Sequence, residues 1–395
     1  METLLQDIRF GLKLLWKEKS FSATVLVTLA VCVGANATIF SVINTVLLKP
    51  LPYQDPDQLV TLYNSYPGAG VEQGSNGAPD FFFRRDEVEA LGDIAAYQGW
   101  GSTVGEAGST QREQTLRVSS TFLDVLRVEP IRGRNFVWEE MEPGNHEKVI
   151  LSYEYWQDQY GGDENILGED IRIDGVPFAI VGVLPEGFRL AGSNTERAFL
   201  MPIPFSLEQR GIDSWHNNNY AQIARLAPGA SIEQARAQVT ALNNRLMDEW
   251  PLPEARQILV DAGFNTQIHF TKDEMLREIR PSLMMLWAGV AFVLLIGCVN
   301  IANLMLARSN VRMRELATRL ALGADRFRVG KQLLTEAVGL GLLGGVLGLL
   351  LGYAGVQFLG SLGVDNLPRG TEISLDGTVV VFTLALGIGA GVLFG

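Results

Sequence analysis

The side chains of this sequence best suited to chemistry are three histidines, two cysteines and a cluster of arginines, and their spacing excludes most reactions. His146, His216 and His269 are far apart, and His146-Glu147 lacks the second histidine that a helical zinc-protease motif needs. Asp163-Glu164-Asn165 opens like a calcium loop, but Leu167 stands where an oxygen ligand is wanted. Both read as surface polar residues. Cys32 and Cys298 fall inside apolar runs, which leaves the polar part of the chain without a disulfide framework or a thiol zinc site. Gly323 to Lys331 superficially resembles a phosphate loop, yet its spacing is wrong and Gln332 replaces the required Ser or Thr. With no nucleophile motif or ligand cluster in view, an enzyme is disfavoured, and no catalytic residue, cofactor or metal is expected.

What remains is electrostatic and mechanical. Arg308, Arg312, Arg314, Arg319, Arg326, Arg328 and Lys331 crowd one short stretch. Within it Met313, Leu316, Ala317, Leu320 and Ala321 make an apolar stripe at helical spacing, with Arg312, Arg314, Glu315 and Arg319 mostly off it. Gly323 can end that helix in a left-handed turn and Asp325 can cap the next. The expectation is a short helix, a tight turn and a second helix. The plainer reading is a solvated connector. An apolar stripe has to be covered by lipid or by a partner, and a partner protein is the favoured cover.

The elements that position this loop are four apolar runs. Phe21 to Leu48 carries no charged residue; Ser282 to Ala307, Val338 to Gly363 and Thr378 to Gly395 follow much later. Each is close to the length a helix needs to cross a bilayer. The predicted plan is an amphipathic cytoplasmic helix over 1–20, a span over 21–48, and a large polar domain over 49–280. Further spans over 282–307, 333–363 and 377–395 are separated by a loop over 308–332 and a link over 364–376. The last span looks truncated. A cleaved signal peptide is the alternative for the first run, but apolar residues continue through Leu47 and Leu48 where a signal peptide turns polar.

Charge sets the topology. Of the formal net charge of -12, the excess sits between Lys49 and Arg280, where 35 acidic residues face 20 basic ones. That surface argues against nucleic acid as a partner. Arg9, Lys13, Lys17 and Lys19 precede the first run and the arginine cluster follows the second, while the link after the third holds Arg369 beside acidic residues. Basic residues in short loops stay cytoplasmic. The amino terminus and the loop are therefore expected inside, and the acidic domain outside.

Inside the spans, Gly344, Gly348 and Gly352 recur every fourth residue, and Gly387, Gly391 and Gly395 repeat the pattern, which suits close packing between spans, within the chain or between two halves of an assembly. Asn300, Asn303 and Glu336 are costly in lipid and are expected to face other helices or the inner interface, with Glu336 within reach of an arginine of the loop.

The polar domain reads as mixed α/β. Strands are predicted at Val60 to Tyr63, Gln114 to Val118, Lys148 to Leu151, Asp170 to Ile173 and Pro177 to Val183, the last two joined as a hairpin by Asp174-Gly175. Tyr66 to Pro79 reads as a loop, Asp80 to Leu91 as a helix capped by Asp80, and Ser231 to Trp250 as a helix. A strand-rich subdomain is expected over 149–204.

The run Arg314-Glu315-Leu316-Ala317-Thr318-Arg319-Leu320-Ala321-Leu322-Gly323-Ala324-Asp325, followed by Leu333-Leu334-Thr335-Glu336, resembles the loop and third-span opening of MacB/FtsX-type ABC transporter permeases. Asp7-Ile8-Arg9-Phe10, Gly34-Ala35-Asn36 and Leu48-Lys49-Pro50-Leu51-Pro52-Tyr53 are similar to the start of their duplicated orphan branch (ADOP), of which this would be the first half. Leu151-Ser152-Tyr153, Gly161-Gly162-Asp163 and Val181-Gly182-Val183-Leu184-Pro185-Glu186-Gly187-Phe188 resemble that branch's outer core domain. The resemblance implies an α-helical membrane protein with four transmembrane helices, an FtsX-like permease domain over 282–395, and a large extracytoplasmic α/β (α+β) domain of the MacB periplasmic core type. It implies a bacterial inner-membrane permease subunit for export or efflux, driven by a separate cytoplasmic ABC ATPase that contacts Arg312, Arg314, Glu315, Arg319, Gly323 and Asp325. A second permease module, as a homodimer or a duplicated half, is implied as a partner within the lipid bilayer. The alternative is a regulator of a periplasmic partner such as a cell-wall hydrolase, with no cargo.

Overall fold

A computed structural model describes residues 19–106, 108–190, 198–250, 253–321, 326–361 and 373–394. The chain divides into two units, Met1–Lys49 with Leu276–Gly395, and Pro50–Met275.

The first unit is a helix bundle. Its first helix, Lys19–Ile43, continues into a wide turn over Asn44–Leu48, where the Lys49 amide donates to the Asn44 carbonyl at 2.8 Å. The others are Ile279–Ala321, Arg326–Ser361 and Gly377–Phe394. By length and composition Lys19–Leu48, Ile279–Arg308 and Leu334–Ser361 can each cross a membrane, and Gly377–Leu393 is a shorter apolar helix. Val25, Leu29, Ile301, Leu340 and Ala390 form a core to which all four helices contribute. The first helix is its hub: Val25, Leu29, Val33 and Ala37 are buried, while Val27 and Val31 on its other side are exposed.

One expectation changes here. The short helix predicted after the second span is continuous with it, making a helix of 43 residues from Ile279 to Ala321. Arg308 to Ala321 contains no Gly or Pro to interrupt the backbone hydrogen bonds. The turn expected at Gly323 and Asp325 lies outside the described residues, as does the leader over 1–18.

The second unit is built on one sheet. Its strands are β1 (Leu59–Tyr66), β2 (Val71–Gly74), β3 (Leu91–Val104), β4 (Gln111–Val118), β5 (Arg132–Gly133), β6 (Lys148–Leu151), β7 (Asp170–Ile173), β8 (Val176–Val183), β9 (Phe199–Pro202), β10 (Ala221–Leu226) and β11 (Asn265–Phe270). They lie in the order β11-β1-β10-β3-β4-β9-β6-β8-β5, with β2 beside β1, and β7 pairing both β3 and β8. Only β4 with β9 and β6 with β8 pair in parallel. Helices α1 (Ala78–Glu87), α2 (Phe122–Leu126), α3 (Tyr153–Tyr160) and α4 (Ile232–Glu249) cover it.

Side-chain alternation splits the core between two faces. Val60, Ile94 and Ala224 join Phe81, Trp215, Val239 and Leu242 on one side. Leu59, Ala95 and Ile223 join Leu116, Phe122 and Leu126 on the other. A third cluster, including Val149, Trp156, Ile171 and Phe199, fills the 149–204 region, whose strands share the common sheet through β9 on β4 and β7 on β3.

The hairpin at Asp174-Gly175 forms β7 and β8, both turn residues taking the positive φ that this turn demands, 50° and 84°. Two details differ from expectation. Tyr66 to Pro79 is not all loop, since it contains β2 and the start of α1. Asp80 does not cap α1: Gly77 stands at the cap, and the Asp80 carboxylate reaches back to accept from the Gly77 amide at 2.8 Å.

Candidate coupling site

In the helix bundle, Arg308 stands on the long helix with its guanidinium 4.0 Å from the Glu336 carboxylate of the third span, both side chains at most 10% exposed. The Arg308 guanidinium also lies 4.5 Å from the centre of the Phe21 ring, on the first helix. Three helices thus meet at one buried charge. Arg312, Arg314, Glu315 and Arg319 fall near the end of the long helix, and their side chains lie outside the described residues, as do Gly323 and Asp325.

Further along, the predicted glycines sit against the first helix. A Cβ added to Gly344, Gly348 or Gly352 would come within 2.6 Å of Leu29, 2.8 Å of Val33 or 3.0 Å of Ala37. Gly341 and Gly387 meet backbone to backbone, and a Cβ on Gly391 would lie 2.7 Å from the Ala337 carbonyl, so the last helix packs on the third in the same way. Gly395 lies outside the described residues.

Asn300 and Asn303 stand exposed on the surface of this chain and are not packed on the other helices. The buried polar bridge is Asn36 instead, whose amide donates to Cys32 at 2.8 Å and to the Val290 carbonyl of the second span at 3.1 Å. Asn36 was missed in the sequence, although a polar residue inside an uncharged run is itself a signal.

At the end of the first helix that leads to Pro50 lies a polar clasp. Ser41 donates to the Ser374 carbonyl at 2.7 Å, Asn44 donates to the Asp376 carboxylate at 2.9 Å, and the Lys49 ammonium lies 3.0 Å from it. The other Asp376 oxygen accepts from the Val379 amide at 3.1 Å and caps the last helix. Burial pushes the Asp376 carboxyl up, but the Val379 amide, Lys49 and Asn44 outweigh it and hold it below the usual carboxylate range.

The outer unit contains a buried network that spacing gave no hint of. Arg84 on α1 is fully buried and donates to Asn76 at 2.7 Å, Gln222 at 2.6 Å, Asn64 at 2.8 Å and Thr266 at 2.9 Å, with Asp80 at 3.2 Å. Asp80 accepts in turn from Asn64 and from the Trp215 indole, each at 2.8 Å. This ties α1 to β1, β10 and β11, with both terminal nitrogens of Arg84 and both Asp80 oxygens hydrogen-bonded and the Arg84 Nε left without a partner, so the ion pair is tolerated through the network around it. Burial pushes the Arg84 pKa down and Asp80 opposes that. Beside it His216 bonds Tyr66 at 2.7 Å among Trp215, Trp250 and Phe264, and burial pushes its pKa down to about 4, against the pull of Asp80. Among the described residues no three His, Cys, Asp or Glu side chains are grouped to hold a metal.

This geometry holds helices and strands in register. Residues 22–242 match the family of the MacB-like periplasmic core domain, and residues 287–395 match the FtsX-like permease C-terminal family. The chain belongs to the MacB/FtsX-type permease family. Among relatives, it is 25% identical to the pyoverdine export ATP-binding/permease protein PvdT of Pseudomonas syringae pv. tomato over 80% of this chain and 46% of that one. It is 23% identical to the uncharacterized ABC transporter permease YknZ of Bacillus subtilis over 99% of this chain and 96% of that one. The crystal structure of the extracellular domain of the noncanonic ABC-type transporter YknZ from Gram-positive bacteria aligns at 16% identity over 53% of this chain and 99% of that one, with a TM-score of 0.37. The permease chain thus spans about half the length of PvdT. The FtsX-like match contains Arg308, Glu336 and the glycine seam; the core-domain match contains Arg84, Asp80 and His216.

Proposed function

We propose that this chain is the permease subunit of an ABC exporter in the bacterial inner membrane, with its amino terminus cytoplasmic. A separate ATPase moves the segment 308–332, the spans carry the motion, and the domain Pro50–Met275 works on cargo outside the bilayer. The observation that carries this reading is the uninterrupted helix Ile279–Ala321. At 1.5 Å per residue it is about 65 Å long, roughly twice the hydrocarbon thickness, so it leaves the membrane as a rigid lever. A solvated connector needs no such continuity. Arg308 and Glu336 brace the lever against the third span, and the glycine seam passes its movement to the first. A second permease module completes the assembly, either another copy or the second half of a duplicated chain of the orphan branch. Asn300 and Asn303, costly in lipid, favour a protein neighbour on the exposed face of the second span.

The test is a pull-down of the membrane-extracted chain from its own cells, with Glu315→Lys and Arg319→Glu variants in parallel. An ABC ATPase is expected with the unaltered chain and at least about tenfold less with the variants, the loss of roughly 1.4 kcal/mol of contact. Equal recovery from all three removes the segment 308–332 from the role assigned to it.

A further inference from the structure

Displacement of the first span is passed along the chain to the outer domain through the segment that follows it, and that segment is gripped. Leu51 and Tyr53 are buried in the outer core at 4% and 9% exposure, and the Tyr53 hydroxyl donates to the Arg189 carbonyl at 2.6 Å. Arg225, on β10 in the middle of the sheet and 3% exposed, donates to the carbonyls of Gln54 at 3.0 Å, Asp55 at 2.8 Å and Val125 at 3.0 Å. Arg127, next to α2, pairs with the Asp55 carboxylate from outside. A guanidinium buried on main-chain carbonyls is a costly way to hold a loop, because no carboxylate among those contacts repays its desolvation. Lys49, the last residue of the first unit and two residues before Leu51, is tied to Asp376 within that same unit. The slack between two anchored points is therefore a single residue, Pro50, with φ fixed by its ring.

We propose that Arg225 is a positioning residue for coupling: it clamps the chain leaving the first span onto β10, so that displacement of the span is delivered to the sheet and not absorbed by a loop. This rests on the permease reading above, and the experiment separates the two. In nanodiscs, the full chain with its co-purified ATPase carries spin labels at Val27→Cys and Glu164→Cys, with Cys32 and Cys298 changed to Ala. The inter-label distance is measured with and without ATP. Three changes are compared: Arg225→Gln, Arg225→Lys, and a Gly-Gly-Ser insertion between Lys49 and Pro50, which adds slack without touching the core.

The ATP-driven shift is expected to be lost in Arg225→Gln and in the insertion, with ATP turnover retained, and partly kept in Arg225→Lys. Hydrogen exchange at the amides of residues 51–58 is expected to rise about tenfold in Arg225→Gln, with amides of β3 and β4 unchanged. A full shift in the insertion variant, or unchanged exchange in Arg225→Gln, overturns the clamp. If Arg225→Gln fails to fold, seen as lost protection in β3 and β4, the insertion variant decides. No ATP-driven shift in the unaltered chain would instead sink the permease reading itself.

Discussion

At the scale of single residues, the buried charges make the sharpest predictions. Arg84→Met strands the Asp80 carboxylate in the core, so the outer unit should lose about 3 kcal/mol or more in urea unfolding followed by tryptophan fluorescence. The double variant Arg84→Met, Asp80→Asn should recover part of that loss, because the stranded charge is gone. His216 gives a pH dependence whose sign is fixed by its pKa, lowered from 6.5 to about 4. Between those values the unfolded chain binds a proton that the folded one refuses. Its contribution is thus whole above pH 6.5 and shrinks as pH falls toward 4, by at most about 1.4 kcal/mol per pH unit. Unfolding midpoints at pH 7, 6 and 5 should drop for the unaltered chain and drop less for His216→Phe; parallel slopes would remove His216 as the cause. Asp376 separates charge from capping. Asp376→Asn can keep the capping oxygen on Val379 but loses the partly exposed Lys49 pair and the Asn44 hydrogen bond, for about 1 kcal/mol, whereas Asp376→Ala loses the cap as well and should cost about 1 kcal/mol more.

At the scale of elements, the glycine seam can be tested against its own control. Gly348→Val drives a side chain into Val33 and should lower the melting temperature of the detergent-solubilised chain, at a cost of about 1 to 3 kcal/mol. Gly389→Ala, on the last helix with nothing within 4 Å of the added Cβ, should leave it unchanged. This scale also shows what could be read in advance. The apolar runs and the Asp174-Gly175 hairpin were legible because length in one case and required φ in the other leave few alternatives. β3 was not, because Gly92, Ala95, Ala96, Gly99 and Gly101 have little strand propensity and are held there by pairing on β4 and β10. Arg84 and Arg225 were also invisible as core residues: a charged side chain reads as surface until the partners that satisfy it arrive from distant segments. The long helix was legible in its two halves but not in its continuity, since the change at Arg308 from an apolar run to a charged amphipathic stretch reads as the end of a span although no Gly or Pro breaks the backbone there.

At the scale of the whole molecule, orientation carries the functional reading, and reporter fusions should place residues 308–332 inside and residues 50–275 outside. Reporters in one compartment would end the transporter interpretation. The sheet topology adds a constraint on biogenesis. β1 is made first, yet both of its long neighbours, β10 and β11, are made last, with Val60 paired to Ala224 on one side and Phe270 on the other. Until the final stretch has been made, β2 covers only the Asn64–Tyr66 end of the earliest strand and Leu59–Leu62 has two open edges, and such long-range pairing is slow to close. A nascent chain stalled before residue 221 would therefore leave an unzipped sheet, a ready target for proteases and chaperones, even though the helix that precedes it is already made.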